Sequence, residues 1–500
     1  MNRPFILSLL LLGGVSLHAQ TYRHFRSTDE EAWKSSQLSL ENKPSETPLI
    51  TVDGTEKGHE FRAWGTCFNE LGLDAIRLLS DEARQEVMRN IFAPDGDLKF
   101  TRGRLTMNAN DYSREWYSCD TVAGDFALKH FNIEHDKENV IQLIRMAQRW
   151  QPDLTFWVSP WSPPTWMKIN QDYPVVSSRY NKQPQTKDYL LFDGKGAVDE
   201  GEVMMAGQQS GKFPKRLASQ DYMIQDPRYL QAYADMFCRF IELYAQEHIP
   251  IDMVMYQNEA YSYTAYPGCA WTADGTIRFN HDYLVPTMRQ RHPEVDVYVG
   301  TFNTNRTDYV TRILDGLKDD VKGIGLQWEG RENLDALRQR YPEMRLVSSE
   351  SECGNGSMDW RAAEHTFHLL CDYIGRGCSE YFIWNFILCD NGKSPWGWKQ
   401  NALVQVDSKT GRHRYTGEYY AVKHFSNMVS PGSRVIAYKS KEETGGTPVI
   451  VFTTSRGGKS KNIVITANLT NEKRTVTVRL GKRYLNLTME PHSMHTMTEK

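Results

Sequence analysis

The sequence predicts an α/β fold, a (β/α)8 TIM barrel with a fused antiparallel β-sandwich as a side domain. Two observations lead to this prediction. From about residue 60 to residue 430, β-rich runs alternate with longer amphipathic stretches, and the β-rich runs number eight, the strand count of a closed parallel barrel. After about residue 430, short strand-like runs are separated only by Gly, Lys and Asn turns, as in an antiparallel sheet.

The chain begins with a pattern typical of a secretory signal peptide. Arg3 precedes an apolar segment from Phe5 to Leu17, and Ala19 stands where a cleavage site is expected. The apolar segment is shorter than the roughly 20 residues of a bilayer span, so we expect no membrane anchor. We assign residues 1–19 to this peptide and expect export, to the periplasm or the cell exterior.

Three parts follow the signal peptide. Residues 20–52 are expected to contribute strands to the β-sandwich, residues 53–430 to form the barrel, and residues 431–500 to form the C-terminal β-sandwich domain. A long polar stretch rich in Gly and Pro, from about Asn170 to Gln225, is expected to lie over the mouth of the barrel.

The strand and helix candidates of the barrel can be assigned one by one. The strand candidates, in chain order, are FRAWGTCFNE, LKFTRGRLTMN, LTFWVSPWSPP, DMVMYQNE, DVYVGTF, VKGIGLQWEG, MRLVSSE and EYFIWNF. Stretches with apolar residues at helical spacing include DEARQEVMRNIF, KENVIQLIRMAQRW, PRYLQAYADMFCRFIELYAQEH and AAEHTFHLLCDYIGRG. Beyond the barrel, the strand candidates are RVIAYKS, PVIVFTTS, KNIVITANLT, RTVTVRL and RYLNLTME.

Polar and aromatic residues stand at the ends of the barrel strands, where this fold carries its active sites. They are Asn69, Asn108, Trp161, Glu259, Trp328, Glu350, Trp384 and Asn385. Glu259 ends the fourth strand and Glu350 the seventh, so the two carboxylates should face each other across the barrel mouth. Acetal hydrolysis needs such a pair, one as proton donor and one as nucleophile. Glu352 competes with Glu350 for the second role, but RLVSSE keeps the strand continuous up to Glu350.

The net charge and the tryptophan residues indicate what kind of substrate to expect. A formal net charge of −3 gives no electrostatic reason to expect nucleic acid or an anionic membrane as partner, and a neutral substrate fits better. Tryptophan side chains suit the apolar faces of sugars, and Trp161, Trp384, Trp396 and Trp398 are candidates.

Neither cysteine nor histidine spacing predicts a metal site. The eight cysteines contain no CxxC pair, and we expect most of them to be buried thiols whose pairing the sequence leaves open. His365 and His368 lack the spacing and partners of a zinc site, and they are expected to lie on an ordinary helix face.

The segments WVSPWSPPTWMK, MYQNEA, RLVSSESECG and YFIWNF, in this order and spacing, resemble glycoside hydrolase family 30, which includes glucosylceramidases and β-1,6-glucanases. The likeness runs from about Ala63 to Arg434. It implies a retaining β-glycosidase that needs no metal or cofactor. By resemblance, Glu259 is the acid/base and Glu350 the nucleophile. The residues that would line the substrate site are Arg104, Asp111, Trp161, Asn258, Trp328, Trp384 and Asn401.

The resemblance is incomplete at two points. Ala260 follows Asn258 and Glu259 where the family usually has proline. The glucosylceramidase-like HWY is here QWE, Gln327 to Glu329, which argues against a ceramide leaving group and places a third carboxylate near the site. We therefore expect hydrolysis of β-linked glucosides, foremost a β-1,6-glucan. A glucosylceramidase-like or other exo-β-glycosidase is the alternative within the class, and a non-catalytic glycan-binding protein is the alternative outside it.

Overall fold

The computed structural model describes residues 21–56, 58–184, 187, 220–456 and 459–500. The expected signal peptide lies outside these residues. So do residues 185–186 and 188–219, the larger part of the predicted loop over the barrel mouth. The described part of that loop packs on the chain after Glu259, because the amides of Val175 and Val176 both donate to the carbonyl of Thr264.

Four strands precede the barrel. They are β1 (Thr21–Ser27), β2 (Lys34–Ser39), β3 (Ile50–Val52) and β4 (His59–Glu60). The next eight strands form a closed parallel barrel in which the last pairs with the first. They are β5 (Ala63–Cys67), β6 (Arg102–Met107), β7 (Thr155–Pro160), β8 (Ile251–Met255), β9 (Asp296–Phe302), β10 (Gly323–Gln327), β11 (Arg345–Glu350) and β12 (Cys378–Asn385). Each overlaps one predicted run, although β8 and β12 begin slightly before theirs, so the predicted barrel is confirmed.

Helices follow most barrel strands and cover the outside of the barrel. They are α1 (Glu70–Arg77), α2 (Asp81–Phe92), α3 (Glu134–Glu138), α4 (Val140–Gln148), α5 (Pro227–Gln246), α6 (Ala273–Phe279), α7 (Val285–Arg291), α8 (Thr307–Leu317), α9 (Leu334–Arg340), α10 (Trp360–Gly375) and α11 (Gly417–Ser426). Side-chain caps define several of their starts, such as Ser80 before α2 and Asp359 before α10, since these side chains accept otherwise unpaired amides of the first turn.

The remaining strands form three smaller sheets. The strands are β13 (Ile387–Cys389), β14 (Val404–Val406), β15 (His413–Tyr415), β16 (Arg434–Lys439), β17 (Val449–Arg456), β18 (Lys459–Asn468), β19 (Arg474–Leu480), β20 (Arg483–Met489) and β21 (Ser493–Glu499). Strands β13 to β15 form a small sheet of their own, and a seven-stranded antiparallel sheet has the order β2-β1-β21-β18-β17-β16-β4.

The antiparallel side domain contains both ends of the described chain. Strand β1 pairs with β21, and β3 pairs with β19 in a second sheet that also contains β20. Valine and leucine side chains of the two sheets share one buried cluster, as the inner faces of a β-sandwich do. The sequence did not predict β21, the strand that joins β1 to β18.

The barrel interior is filled beneath its mouth by large side chains. Trp157, Met253, Tyr298 and Phe382 belong to one buried cluster there. Gly65 makes room for it, because a Cβ at this position would lie 2.3 Å from the Phe382 ring. The Arg104 guanidinium lies 4.7 Å from the Trp157 ring centre, so this packed layer supports the residues above it.

The helices and the cysteines of the described chain have two further properties. Within the described residues, no helix is both long and apolar enough to span a membrane. The eight cysteines are free thiols, and all but the half-buried Cys389 are buried.

Candidate active site

Glu350 is the last residue of β11, and its carboxylate is held by two donors. Arg104 Nη1 lies 2.6 Å from Glu350 Oε2, and Trp328 Nε1 lies 3.2 Å from Glu350 Oε1. Trp328 adopts a left-handed backbone conformation with φ 50° directly after β10, which is uncommon for a bulky residue. That turn brings the indole back to the end of the neighbouring strand.

Arg104 connects Glu350 to the end of β8. It is fully buried on β6, and its Nη2 donates to Asn258 Oδ1 at 2.7 Å. The guanidinium also lies 4.5 Å from the ring centre of Trp161. A buried guanidinium needs both charge compensation and hydrogen-bond acceptors, and here Glu350 supplies the charge.

Glu259 follows β8, and its carboxylate accepts hydrogen bonds from uncharged groups. Gln327 Nε2 lies 3.0 Å from Glu259 Oε1, and Ser262 Oγ lies 3.1 Å from Glu259 Oε2. The backbone of Glu259 has φ 49°, and its amide is fixed by Thr301, 3.1 Å from the carbonyl oxygen. A left-handed non-glycine residue costs conformational energy, and this bond helps to hold Glu259 in place.

The two carboxylates differ in their electrostatic surroundings. Burial, and after it the negative charge of Glu350, raises the pKa of Glu259 to about 7. Burial also raises the pKa of Glu350, but Arg104, Trp328 and Gln327 act in the opposite direction. Because only Glu350 has a cation in direct contact, it is the member of the pair that carries the charge while Glu259 holds the proton. Such a pair can supply a general acid and a nucleophile at one site.

Both carboxylates open into one cavity of about 570 Å³. Its inner part is lined by buried residues: Asp111, Trp161, Asn258, Glu259, Tyr266, Glu350, Trp398, Gln400 and Asn401. Its outer part is formed by the chain between Glu352 and His365 together with Trp328. Aromatic faces beside polar groups are what a sugar ring requires.

Asp111 lies in the inner part with most of its hydrogen-bonding capacity unused. Oδ2 is 3.5 Å from Gln400 Nε2, and Oδ1 is a buried oxygen without a partner among the described residues. Burial and the nearby Glu350 and Glu259 carboxylates raise its pKa well above the usual range. A sugar hydroxyl would satisfy this group.

Two residues expected to line the substrate site have other contacts. Trp384 is absent from the cavity wall and packs behind Trp161, with the ring centres 5.2 Å apart. Asn401 reaches the cavity, but its Oδ1 accepts the amide of Gly356 at 2.7 Å, so it also anchors the outer wall. Trp396, the remaining tryptophan candidate, stacks on Trp116 with ring centres 4.4 Å apart and does not line the cavity.

Glu329, the carboxylate expected near the site, does not line the cavity, whereas Glu352 does. His365 also lines the cavity, and its Nε2 lies 2.8 Å from Glu352 Oε2, so it is not merely part of a helix face. Sequence reasoning did not single out Ser262, Tyr266 or Gln400. Their signal was weak, because each stands on a connection whose path the strand pattern does not define.

No group of three or more His, Cys, Asp and Glu side chains that could hold a metal ion occurs within the described chain.

The chain is similar to known glycosidases. The model of the glycosyl hydrolase family 30 TIM-barrel domain matches residues 61–186. An endo-1,6-β-D-glucanase of Aspergillus fumigatus is 21% identical over 87% of this chain and 84% of its own length. The lysosomal acid glucosylceramidase of Mus musculus is 22% identical over 90% of this chain and 82% of its own length.

A solved endo-β1,6-glucanase superposes with a TM-score of 0.74 over 96% of this chain and 99% of its own, at 19% identity. That likeness concerns the fold. The match over part of the chain and the glycosidase relatives support a glycoside hydrolase that resembles family 30 and acts on a carbohydrate.

Proposed function

We propose that this chain hydrolyses β-linked glucosides with retention of configuration, with Glu350 as nucleophile and Glu259 as acid/base. The observation that carries the proposal is the unequal environment of the two carboxyls. Glu350 is bonded to the buried cation Arg104, whereas Glu259 is bonded to the neutral donors Gln327 and Ser262. The first arrangement stabilises an anion, and the second leaves a proton available near neutral pH.

The reaction proceeds in two displacements. Glu350 attacks the anomeric carbon while Glu259 transfers its proton to the departing glycosidic oxygen, so a bond from the sugar to Glu350 replaces the glycosidic bond. Glu259, now ionised, then removes a proton from water. The oxygen of that water bonds to the anomeric carbon as the bond to Glu350 breaks, and the proton taken from water leaves Glu259 in its acid form again.

Asn258 is positioned by its neighbours to bind substrate through its amide nitrogen. Its Oδ1 already accepts from Arg104 Nη2 at 2.7 Å and Thr301 Oγ1 at 3.1 Å, which leaves the NH2 group to donate. In the proposed reaction it donates to the 2-hydroxyl, an interaction that strengthens in the transition state. Asp111 and Trp161 bind the same sugar unit from the inner end of the cavity.

The proposed substrate is a β-1,6-glucan. Curated relatives at low identity include endo-1,6-β-D-glucanases, and Gln327 replaces the histidine expected of a glucosylceramidase-like site. The lysosomal acid glucosylceramidase relative makes a glucosylceramidase-like or other exo-acting enzyme the second candidate.

Product analysis on a panel of glucans tests this proposal. The purified protein is incubated with β-1,6-, β-1,3- and β-1,4-glucans, glucosylceramide in detergent micelles and an aryl β-glucoside. We expect hydrolysis of the β-1,6-glucan and the aryl glucoside, with the β-anomer formed first in NMR spectra of the fresh products. A first-formed α-anomer would contradict retention, and preference for glucosylceramide would favour the second candidate.

We also propose that the protein is exported, on the basis of the charged and apolar pattern of its first 19 residues. N-terminal sequencing of protein from the host's periplasm and culture medium tests this. A mature chain beginning near Gln20 in either fraction supports export, whereas an intact Met1 terminus in the cytoplasm contradicts it.

A further inference from the structure

The outer part of the catalytic cavity differs in chemistry from the inner part. The inner wall carries the aromatic side chains Trp161, Tyr266 and Trp398. Among the described residues, the chain from Glu352 to His365 adds no Phe, Tyr or Trp side chain to the wall, and the half-buried Trp328, after β10, is the tryptophan of the outer part. The side chains that the chain from Glu352 to His365 contributes are Glu352, Asn355, Ser357, Asp359, Arg361, Ala362 and His365. A lipid leaving group would need an apolar wall to bury its chains, and these mostly polar side chains do not favour one.

Arg361 is the outer-wall group with the most unused binding capacity. It is exposed, and no hydrogen bond or ion pair to it occurs among the described residues. Asp359, two residues earlier, is already used as the cap of α10, since its Oδ1 accepts the amide of Ala362 at 3.0 Å. The guanidinium therefore remains available, with five donors in a planar fork that can bind two hydroxyl oxygens at once.

Glu352 and His365 form the complementary part of the wall. Their pairing at 2.8 Å joins the chain after β11 to the face of α10 and fixes a carboxylate beside the cavity. Its remaining lone pairs can accept hydroxyl protons. The outer wall thus offers both hydrogen-bond donors and hydrogen-bond acceptors. A sugar needs this combination because each hydroxyl both donates and accepts, whereas an anion or a cation does not need both kinds of partner.

We propose that Arg361, Glu352 and His365 form a leaving-group subsite for a neutral sugar, and that Arg361 determines the preference for a sugar over an aryl or lipid leaving group. This inference rests on the proposed function, because it places the cleaved bond at Glu259 and Glu350. His365 also borders a second cavity of about 750 Å³, whose walls include residues of α10 and the chain after β16.

The test compares leaving groups in matched variants. For wild type, Arg361→Ala, Arg361→Lys and Glu352→Gln, kcat/KM is measured on a β-1,6-linked glucose disaccharide and on an aryl β-glucoside. Since a hydrogen bond to a charged group is worth roughly a tenfold change in rate, Arg361→Ala should lose about tenfold more on the disaccharide than on the aryl glucoside. Arg361→Lys should recover part of this loss because it keeps the charge without the fork, and Glu352→Gln should show a smaller selective loss. Arg412→Ala, an exposed arginine outside the cavity, is the matched control and should keep the wild-type ratio.

The failures of the two proposals can be told apart. Two results would overturn the subsite while leaving β-glucosidase activity in place. One is an equal loss of kcat/KM on both substrates in Arg361→Ala. The other is a wild type that cleaves micellar glucosylceramide faster than the disaccharide. A wild type inactive on both glucosides would overturn the proposed function, and the subsite with it.

Discussion

The side-chain amide of Gln327 donates to the carboxylate of Glu259 across 3.0 Å. The amide is itself fixed, because Ser349 Oγ donates to Gln327 Oε1 at 2.9 Å. Gln327 thus links Glu259 to the residue that directly precedes Glu350. A neutral donor stabilises a carboxylate less than a cation does, so the charge of the pair is drawn to Glu350, beside Arg104.

Glu259→Ala should remove the proton donor while leaving the nucleophile intact. Hydrolysis of a β-1,6-linked oligosaccharide should fall by about 10²- to 10⁴-fold, the usual contribution of acid/base catalysis. A dinitrophenyl glucoside needs no proton to depart, so the covalent intermediate should still form and its hydrolysis should become rate-limiting. Azide should then restore turnover, with β-glucosyl azide as the product identified by NMR. Glu343→Ala, at an exposed glutamate, is the control and should behave as wild type.

Glu350→Ala should remove the nucleophile itself. We expect a loss of at least about 10⁴-fold on every substrate, activated aryl glucosides included, because no alternative group can form the intermediate. Azide placed in the vacated space should give the inverted α-glucosyl azide. If this variant yields the β-azide and Glu259→Ala the α-azide, the two roles are the reverse of those proposed.

The pH profile should report the protonation of Glu259. The acid form is the active one, and burial and Glu350 raise its pKa to about 7, so kcat/KM on an oligosaccharide should fall as the pH rises through about 7. The Ser262 hydroxyl bonds the carboxylate and lowers this pKa. Ser262→Ala should therefore move the alkaline limb upward by about 0.5 to 1 pH unit, equivalent to one modest hydrogen bond. An unchanged or downward-shifted limb would contradict the assignment.

Arg104→Met should affect both stability and catalysis. It leaves Glu350 buried without its cation, which costs about 3 kcal/mol or more in the free energy of unfolding. Because Arg104 lowers the pKa of Glu350, its loss should also shift the acidic limb of the activity profile to higher pH. Urea unfolding measures the first effect. In the Glu350→Gln background, Arg104→Met should lower the free energy of unfolding by less, because no uncompensated charge remains. Equal losses in both backgrounds would contradict the pairing of Arg104 with Glu350.

A surface pair provides the control for this stability measurement. Arg340 pairs with Asp315 at 2.5 Å, and both side chains are about half exposed. Arg340→Met should cost no more than about 1 kcal/mol, because water screens exposed ion pairs.

The sequence by itself determined the barrel. All eight barrel strands were predictable because buried parallel strands are continuous apolar runs, and the helices between them repeat with a different period. The same pattern predicted that Glu259 and Glu350 stand at strand ends on one side of the barrel. It did not predict β21, whose residues are polar apart from two methionines and yet are mostly buried between β1 and β18.

Only the tertiary structure decided how the carboxyls are partnered. Gln327 and Arg104 are far along the chain from the carboxyls that they contact, whereas Ser262 lies three residues after Glu259. All three bonds depend on turns such as the left-handed Glu259 and Trp328, which no periodic pattern encodes. Trp384 could not be separated from Trp161 by sequence, because both stand near the ends of barrel strands and only packing places one behind the other. His365 is the opposite case to Trp384, because the sequence pattern placed it on an ordinary helix face. In the structure the chain after β11 brings Glu352 to this histidine, and both residues belong to the cavity wall. Sequence patterns record burial and periodicity, whereas the properties of this site arise from contacts between residues far apart in the chain.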